Sequence, residues 1–327
     1  VKFQVGFCCN LACSFCLIQA EEKTCSLNMH TVDNAFKDLA LQKQIKRVVI
    51  TGGEPTLPMY MPITLDIIKK AKSLGAESTI YTNGTLLNND NLKELRSAGL
   101  TEIRLSVYEP INWEKINNIL DEMENNGFSR FLKVTVTRQT YPKLKETLEK
   151  LPNLKPTRFQ IKPFNQTGIK YVDEIEEMTP DQVLEMAKIM LDYKRNVNFR
   201  IDLLPLCYEF LVEDVPTDNI SVCNCGKGKD GYLVINPNGD VFPCGAYSEN
   251  IGNVNDPNYL LTEAWKKSLL LKTIRNLSKE VPDECKNCQH LKKCQINDCH
   301  STTFNYYGNL KRGNPQCPIL AKERFKL

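Results

Sequence analysis

The sequence predicts an α/β fold followed by a small, cysteine-rich C-terminal domain, and three observations carry that prediction. Residues 1 to about 205 alternate short apolar strands with amphipathic helical stretches, the pattern of parallel βαβ units. From Val222 onward the texture changes to Cys, Gly, Asn and Lys, a composition that makes little apolar core. The fourteen cysteines are split between the two ends: five in the first 25 residues, none in the next 181, and nine from Cys207 to Cys317.

Six strands are expected, at residues 3–7, 47–51, 78–82, 102–107, 131–137 and 158–162, each a short run rich in β-branched or aromatic residues. Helices are expected between them at 31–42, at 63–74 with Gly75 as its stop, at 91–98 closed by Gly99, and at 113–126 closed by Gly127. A further helix over 180–194 opens on Thr179 as its cap, and a strand-like stretch follows at 198–204. Toward the C-terminus a single hairpin stands out, 232–236 and 240–242 around Pro237-Asn238-Gly239. The domains are therefore set at 1–205 and 206–327, the second stabilised by metal clusters in place of a large core.

At 327 residues the chain is long enough to bury a substantial core, with 42% hydrophobic residues. Its 42 basic and 39 acidic residues nearly cancel, leaving no support for binding nucleic acid or an anionic membrane. No apolar run reaches bilayer-spanning length and the start reads as a strand and not as a signal peptide, so a cytoplasmic protein is expected. Disulfide frameworks belong to short secreted domains, so in a reducing compartment these clustered thiols point to metal or iron–sulfur ligation.

Cys9-Asn10-Leu11-Ala12-Cys13-Ser14-Phe15-Cys16 places three thiols on one loop after the first strand, spaced Cys-x3-Cys-x2-Cys. Three cysteines on a four-iron cubane leave one iron without a protein ligand, and an amine plus a carboxylate can chelate that iron. Zinc is the competing metal, although three cysteines without a near fourth ligand make an odd structural zinc site.

The triplet resembles the signature of the radical S-adenosylmethionine (SAM) superfamily, which implies a partial (β/α)6 TIM-like barrel, a [4Fe–4S] cluster and SAM. By that resemblance Phe15 lies beside the adenine, and Gly52-Gly53-Glu54-Pro55 after the second strand matches the element that binds the methionyl ammonium through Glu54 and nearby backbone. Glycines there would allow close approach of backbone to ligand. Asn83 within Thr82-Asn83-Gly84, and Ser106, occupy strand ends where the family often contacts the methionine or ribose; each also fits ordinary turn chemistry. Lys162-Pro163-Phe164 would border the adenine or the substrate.

Downstream, Cys225, Gly239 to Cys244, Cys285-x2-Cys288-x5-Cys294-x4-Cys299 and a lone Cys317 resemble the SPASM extension of that superfamily, which carries two auxiliary [4Fe–4S] clusters. The four residues between Cys294 and Cys299 are one more than the family usually has. The resemblance assigns Cys225, Cys244 and Cys299 to the first auxiliary cluster and Cys285, Cys288, Cys294 and Cys317 to the second, three clusters in all. Cys223 is preferred over Cys207 as a fourth ligand of the first, an open iron being the alternative. Cys8 and Cys25 match nothing required, and of His30, His290 and His300 only the last lies close enough to a ligand to support one.

Taken together, the resemblance implies reductive cleavage of SAM to a 5′-deoxyadenosyl radical and abstraction of a substrate hydrogen, with electrons from a flavodoxin or ferredoxin. A ribosomally made peptide or protein is the expected substrate, modified by crosslinking, epimerisation or oxidation; the alternative is a small molecule such as a sugar or cofactor precursor. Gly245 stands where sulfatase-activating relatives have Asp, which disfavours that activity. Because strand residues begin at once, no leader-binding winged helix is expected before them, and recognition would fall to the barrel mouth or a separate protein.

Overall fold

The computed structural model describes residues 1–16, 26–41, 45–164, 177–203, 231–277, 280–291, 299–315, 317 and 319–320. The first seven strands are β1 (Lys2–Gln4), β2 (Arg47–Thr51), β3 (Glu77–Thr82), β4 (Glu102–Val107), β5 (Phe131–Val136), β6 (Arg158–Pro163) and β7 (Arg200–Leu203). Each pairs in parallel with the next, β1 to β7. Helices cross over between them: α1 (Met29–Ala40), α2 (Met61–Ser73), α3 (Asn89–Ala98), α4 (Trp113–Asn125), α5 (Leu144–Lys150) and α6 (Pro180–Arg195).

The local chemistry sets these helix boundaries. Asn28, Asn88, Asn112 and Thr179 cap α1, α3, α4 and α6 by accepting from a backbone N–H one turn in. Gly99 ends α3 with φ +111°, in the left-handed region. Helix α5 was not expected; its signal is the short repeat Leu144, Leu148, Leu151, and Pro142 and Pro152 on either side make the stretch read as loop.

Strand periodicity sorts the sheet into two unlike faces. Val48, Ile50, Ile80, Ile103, Leu105, Leu132, Val134, Phe159 and Ile161 are buried in the apolar core that the helices complete, where Phe3 stacks on Phe36 of α1 at 5.6 Å. The alternate positions are polar apart from Val49 and Phe131: Lys2, Gln4, Thr51, Thr79, Tyr81, Arg104, Ser106, Lys133, Gln160, Lys162 and Asp202. Lys2 on β1 and Lys133 on β5 both reach the ring of Tyr81 on β3, at 5.2 and 4.8 Å. The polar face is the one that lines the lumen. The fold is a partial barrel with an open sheet.

The first strand is shorter than expected. Beyond Gln4 the chain runs along β2 through Val5 N–H to Thr51 O (2.8 Å) and then departs as the cysteine loop. The strand-like stretch at 198–204 forms β7, a seventh parallel strand. The hairpin forms as β8 (Val234–Ile235) and β9 (Val241–Phe242), with the Asn236 side chain accepting from the N–H groups of Asn238 and Asp240 at the turn. Strand β8 joins β1 in parallel, so the sheet continues from the barrel into the C-terminal region.

Helices α7 (Leu261–Lys267), α8 (Leu269–Leu277) and α9 (His300–Tyr307) complete the described chain. Buried Asp38 of α1 accepts from the Thr262 N–H (3.0 Å) and hydroxyl (2.9 Å), tying α7 to the barrel. No described helix is long and apolar enough to cross a membrane.

Candidate functional site

The loop carrying Cys9, Cys13 and Cys16 is held against the end of β2 by backbone contacts that only glycine permits. Gly53 N–H donates to Gly6 O (2.8 Å) and Glu54 N–H to Cys8 O (3.0 Å). A Cβ on Gly53 would lie 1.8 Å from Cys8 O, and one on Gly52, whose φ is +131°, would lie 2.6 Å from Gly6 O. The sequence suggested that these glycines admit a ligand; the space a Cβ would take is filled by the cysteine loop itself. On the other side, Cys8 N–H donates to the hydroxyl of fully buried Tyr60 (3.0 Å), whose ring leaves no room for a side chain at Gly6.

The three thiols are partly exposed at the C-terminal ends of the strands. Burial, then the neighbouring Cys16 and Cys9, push the Cys13 thiol up to about 11. Like every other set of three His, Cys, Asp or Glu side chains among the described residues, they do not close around a single ion. Three thiols that oppose one another's ionisation fit a multi-iron cationic centre, which would offset their charge.

Glu54 is buried and accepts four hydrogen bonds. Its Oε1 accepts from Thr56 N–H (3.0 Å), the Thr56 hydroxyl (2.6 Å) and the Thr82 hydroxyl (2.7 Å), and its Oε2 accepts from Asn83 N–H (2.8 Å). The carboxylate thereby locks the ends of β2 and β3 together. Asn83 extends the network: its Nδ2 donates to Asn10 Oδ1 (2.9 Å) within the cysteine loop, and its Oδ1 accepts from Thr85 N–H (2.9 Å) and hydroxyl (2.7 Å). Asn10 Nδ2 donates in turn to Thr85 Oγ1 (2.7 Å). Glu54, Asn83 and the cysteine loop thus form one hydrogen-bonded unit.

An aromatic wall stands beside it. Phe15 lies 5.6 Å from Tyr108 and 6.3 Å from Phe164, ring centre to ring centre. Tyr108, hydrogen-bonded to Ser106, has its phenol held well above the usual range by burial. Sequence reasoning named Phe15, Ser106 and Phe164 but missed Tyr108. Its signal was available: it is two residues beyond Ser106 and so on the same lumen-facing parity.

The distal cysteines fall into two neighbourhoods. Buried Cys244 follows β9, and its Sγ accepts from Ala246 N–H (3.4 Å). The same turn packs on α9, just after Cys299: Tyr247 lies 5.6 Å from Phe304, and Asn305 donates to Ala246 O (2.5 Å). Cys285, Cys288 and Cys317 form the other group. The Cys285 thiol is pushed up to about 11 by burial and then by Cys317, and Cys317 is raised by burial and by Cys288. None of the nine described cysteines is in a disulfide. Cys25, Cys207, Cys223, Cys225 and Cys294 lie outside the described residues.

Comparison with known proteins agrees with this arrangement. The family model of the radical SAM superfamily matches residues 3–110. Residues 3–110 therefore form a radical SAM domain. A second model, SPASM, an iron–sulfur cluster-binding domain, matches residues 223–289, so this is a radical SAM/SPASM enzyme. Such domains imply iron–sulfur clusters and SAM.

Similar curated proteins include an AdoMet-dependent heme synthase of Oleidesulfovibrio alaskensis, 22% identical over 99% of this chain and 88% of its own length. A PqqA peptide cyclase of Gluconobacter oxydans is 24% identical over 95% and 88%. Among solved structures, anSMEcpe with bound AdoMet and Kp18Cys peptide is similar with a TM-score of 0.76 and 16% identity, covering 100% of this chain and 95% of that one. SuiB of Streptococcus suis bound to precursor peptide SuiA follows at 0.69 and 18%, over 96% and 74%.

Proposed function

We propose that this enzyme cleaves SAM reductively to methionine and a 5′-deoxyadenosyl radical, and that the radical removes one hydrogen from a ribosomally made peptide or protein. The observation that carries the reading is the cysteine loop riding on Gly52 and Gly53, bonded through Asn10 and Asn83 to the Glu54 network. Cys9, Cys13 and Cys16 would hold the cluster that SAM chelates. Phe15, with Tyr108 and Phe164, offers the flat apolar wall an adenine ring needs, and Ser106 and Asn83 would contact the ribose or the methionine.

Glu54 takes a positioning role. Its Oε1 already accepts three hydrogen bonds, while Oε2 accepts one and keeps a site for the methionyl ammonium, which it would share with the backbone around the glycines. The lumen confines the radical, which any stray C–H or S–H bond would quench.

We assign residues 1–205 to the barrel and 206–327 to the auxiliary-cluster domain, with Cys223, Cys225, Cys244 and Cys299 on one cluster and Cys285, Cys288, Cys294 and Cys317 on the other. Those clusters would accept the electron left after bond formation, and a flavodoxin or ferredoxin would load the first. Peptide modification has the support of the similarity to a peptide cyclase and to SuiB in complex with its precursor. A second reading, radical chemistry on a small molecule, is favoured by the heme synthases among the relatives. Anaerobic turnover with SAM, followed by mass spectrometry of 5′-deoxyadenosine and of candidate peptides and small molecules, decides between them. Absence of 5′-deoxyadenosine from the reduced, reconstituted protein would refute both.

A further inference from the structure

The lumen carries more positive charge than the site above uses. Lys2, Arg104 and Lys133 converge on the Tyr81 ring, at 5.2, 5.2 and 4.8 Å from its centre. Lys162 stands on the adjoining strand, one step from Gln160, which is the register partner of Lys133.

The lumen's acids are already engaged by arginines. Arg104 bonds Glu102 (2.7 Å) and the Tyr81 hydroxyl (2.9 Å), while Arg158 pairs with Asp202 and lies 3.7 Å from Glu102. Among the described residues, neither Lys133 nor Lys162 has an ion-pair partner. Burial, then Lys162, Lys2 and Arg104, drive the Lys133 ammonium well below its usual range; burial and Lys2 lower Lys162.

Like charges held together inside a protein are costly unless an anion joins them. Both lysines nevertheless keep some of their surface open to the lumen. Their position suits a ligand entering from the mouth. Lys133 is in register with Ser106, which bonds Tyr108 of the aromatic wall, and Lys162 is near enough to feel the charge of Cys299 on the C-terminal side. Lys133 thus neighbours the strand that leads to the aromatic wall, and Lys162 neighbours Cys299.

We propose that Lys133 and Lys162 form a carboxylate-binding subsite for the substrate, so that the group delivered to the radical is neighboured by an acidic side chain or a chain-terminal carboxylate. This rests on the reading of the mouth as the SAM site.

The test is calorimetric titration of the anaerobically reconstituted protein with N-acetylglutamate α-amide and with its neutral glutamine counterpart. The acid probe should bind about tenfold or more tighter than the neutral one. Lys133→Met and Lys162→Met should each remove that preference while SAM affinity stays within about twofold. Lys133→Arg keeps a charge and should retain the preference, which guards against reading misfolding as lost binding. Equal affinity of the wild type for the two probes would overturn the proposal. So would Met variants that keep the preference, or that weaken SAM instead, which would assign the lysines to the cofactor's carboxylate. If the wild type shows the acid preference yet forms no 5′-deoxyadenosine, the SAM reading fails and the subsite stands.

Discussion

Replacing Gly53 with alanine is the sharpest perturbation of the mouth, because one methyl group collides with the backbone that carries the cysteines. The added carbon would start 1.8 Å from Cys8 O and 2.4 Å from Cys8 C, against an ordinary contact of 3.4 Å, so the two segments must separate by about 1.6 Å. No side-chain rotation relieves this, since both clashing atoms are main chain. Separation by that distance breaks Gly53 N–H to Gly6 O and Glu54 N–H to Cys8 O. Overpacking costs about 1–3 kcal/mol and each lost hydrogen bond about 0.5–1.5 kcal/mol, so the local penalty is about 2–6 kcal/mol. A displacement above ~1 Å at a reacting centre costs about 100-fold in rate. Urea melts of the cluster-free protein, iron and sulfide per chain, and 5′-deoxyadenosine release read the three consequences. Wild-type stability together with wild-type iron content would refute the claim that Gly53 seats the cysteine loop.

Glu54→Gln should cost about 1–3 kcal/mol in the same melts, because either amide orientation points its NH2 group at a backbone N–H, that of Thr56 or of Asn83; an unchanged melt would count against the locking role. Replacing Cys285 and Cys317 together should remove no more iron than replacing one of them, whereas Cys244 with Cys285 should remove two clusters, about eight irons per chain; additive loss from the first pair would break the grouping. Lys133→Met should stabilise the protein at neutral pH, by an amount that shrinks as pH rises. The folded lysine gives up its proton below the ~10.4 of the unfolded chain, so between those two values the wild type gains up to ~1.4 kcal/mol per pH unit that the variant does not. Parallel stability profiles of the two proteins between about pH 7 and 10 would contradict this.

The barrel was legible because its strands and helices announce themselves locally. Gly75, Gly99 and Gly127 follow their helices as the sequence suggests, and the expected cap at Thr179 forms with its reciprocal partner Gln182. The cysteine spacings carried the family. What stayed hidden depends on residues far apart in the chain. Tyr60 supports a loop 52 residues away, and the donors to Glu54 come from two different strand ends. The polar alternation of β4, β5 and β6 could have flagged Arg104, Lys133 and Lys162 as lumen residues. Lys162 was singled out from its place at the end of the sixth strand, whereas Arg104 and Lys133 passed unnoticed because strands in a parallel sheet are expected to be apolar on both faces. The glycines of Gly52-Gly53 were marked correctly as a close approach, but the approaching partner, the Gly6–Cys8 backbone, is invisible without the fold.

The two-residue strand β8 changes what β1 is. Without it β1 would end the sheet, with a row of unpaired N–H and C=O groups three residues long, immediately before the cysteine loop. Bare edges of this kind recruit other chains. A truncation at residue 205 would therefore yield a sticky particle in place of a tidy barrel, prone to self-association before any iron is loaded. In that sense the C-terminal region acts as a built-in chaperone for the edge on which the radical chemistry depends.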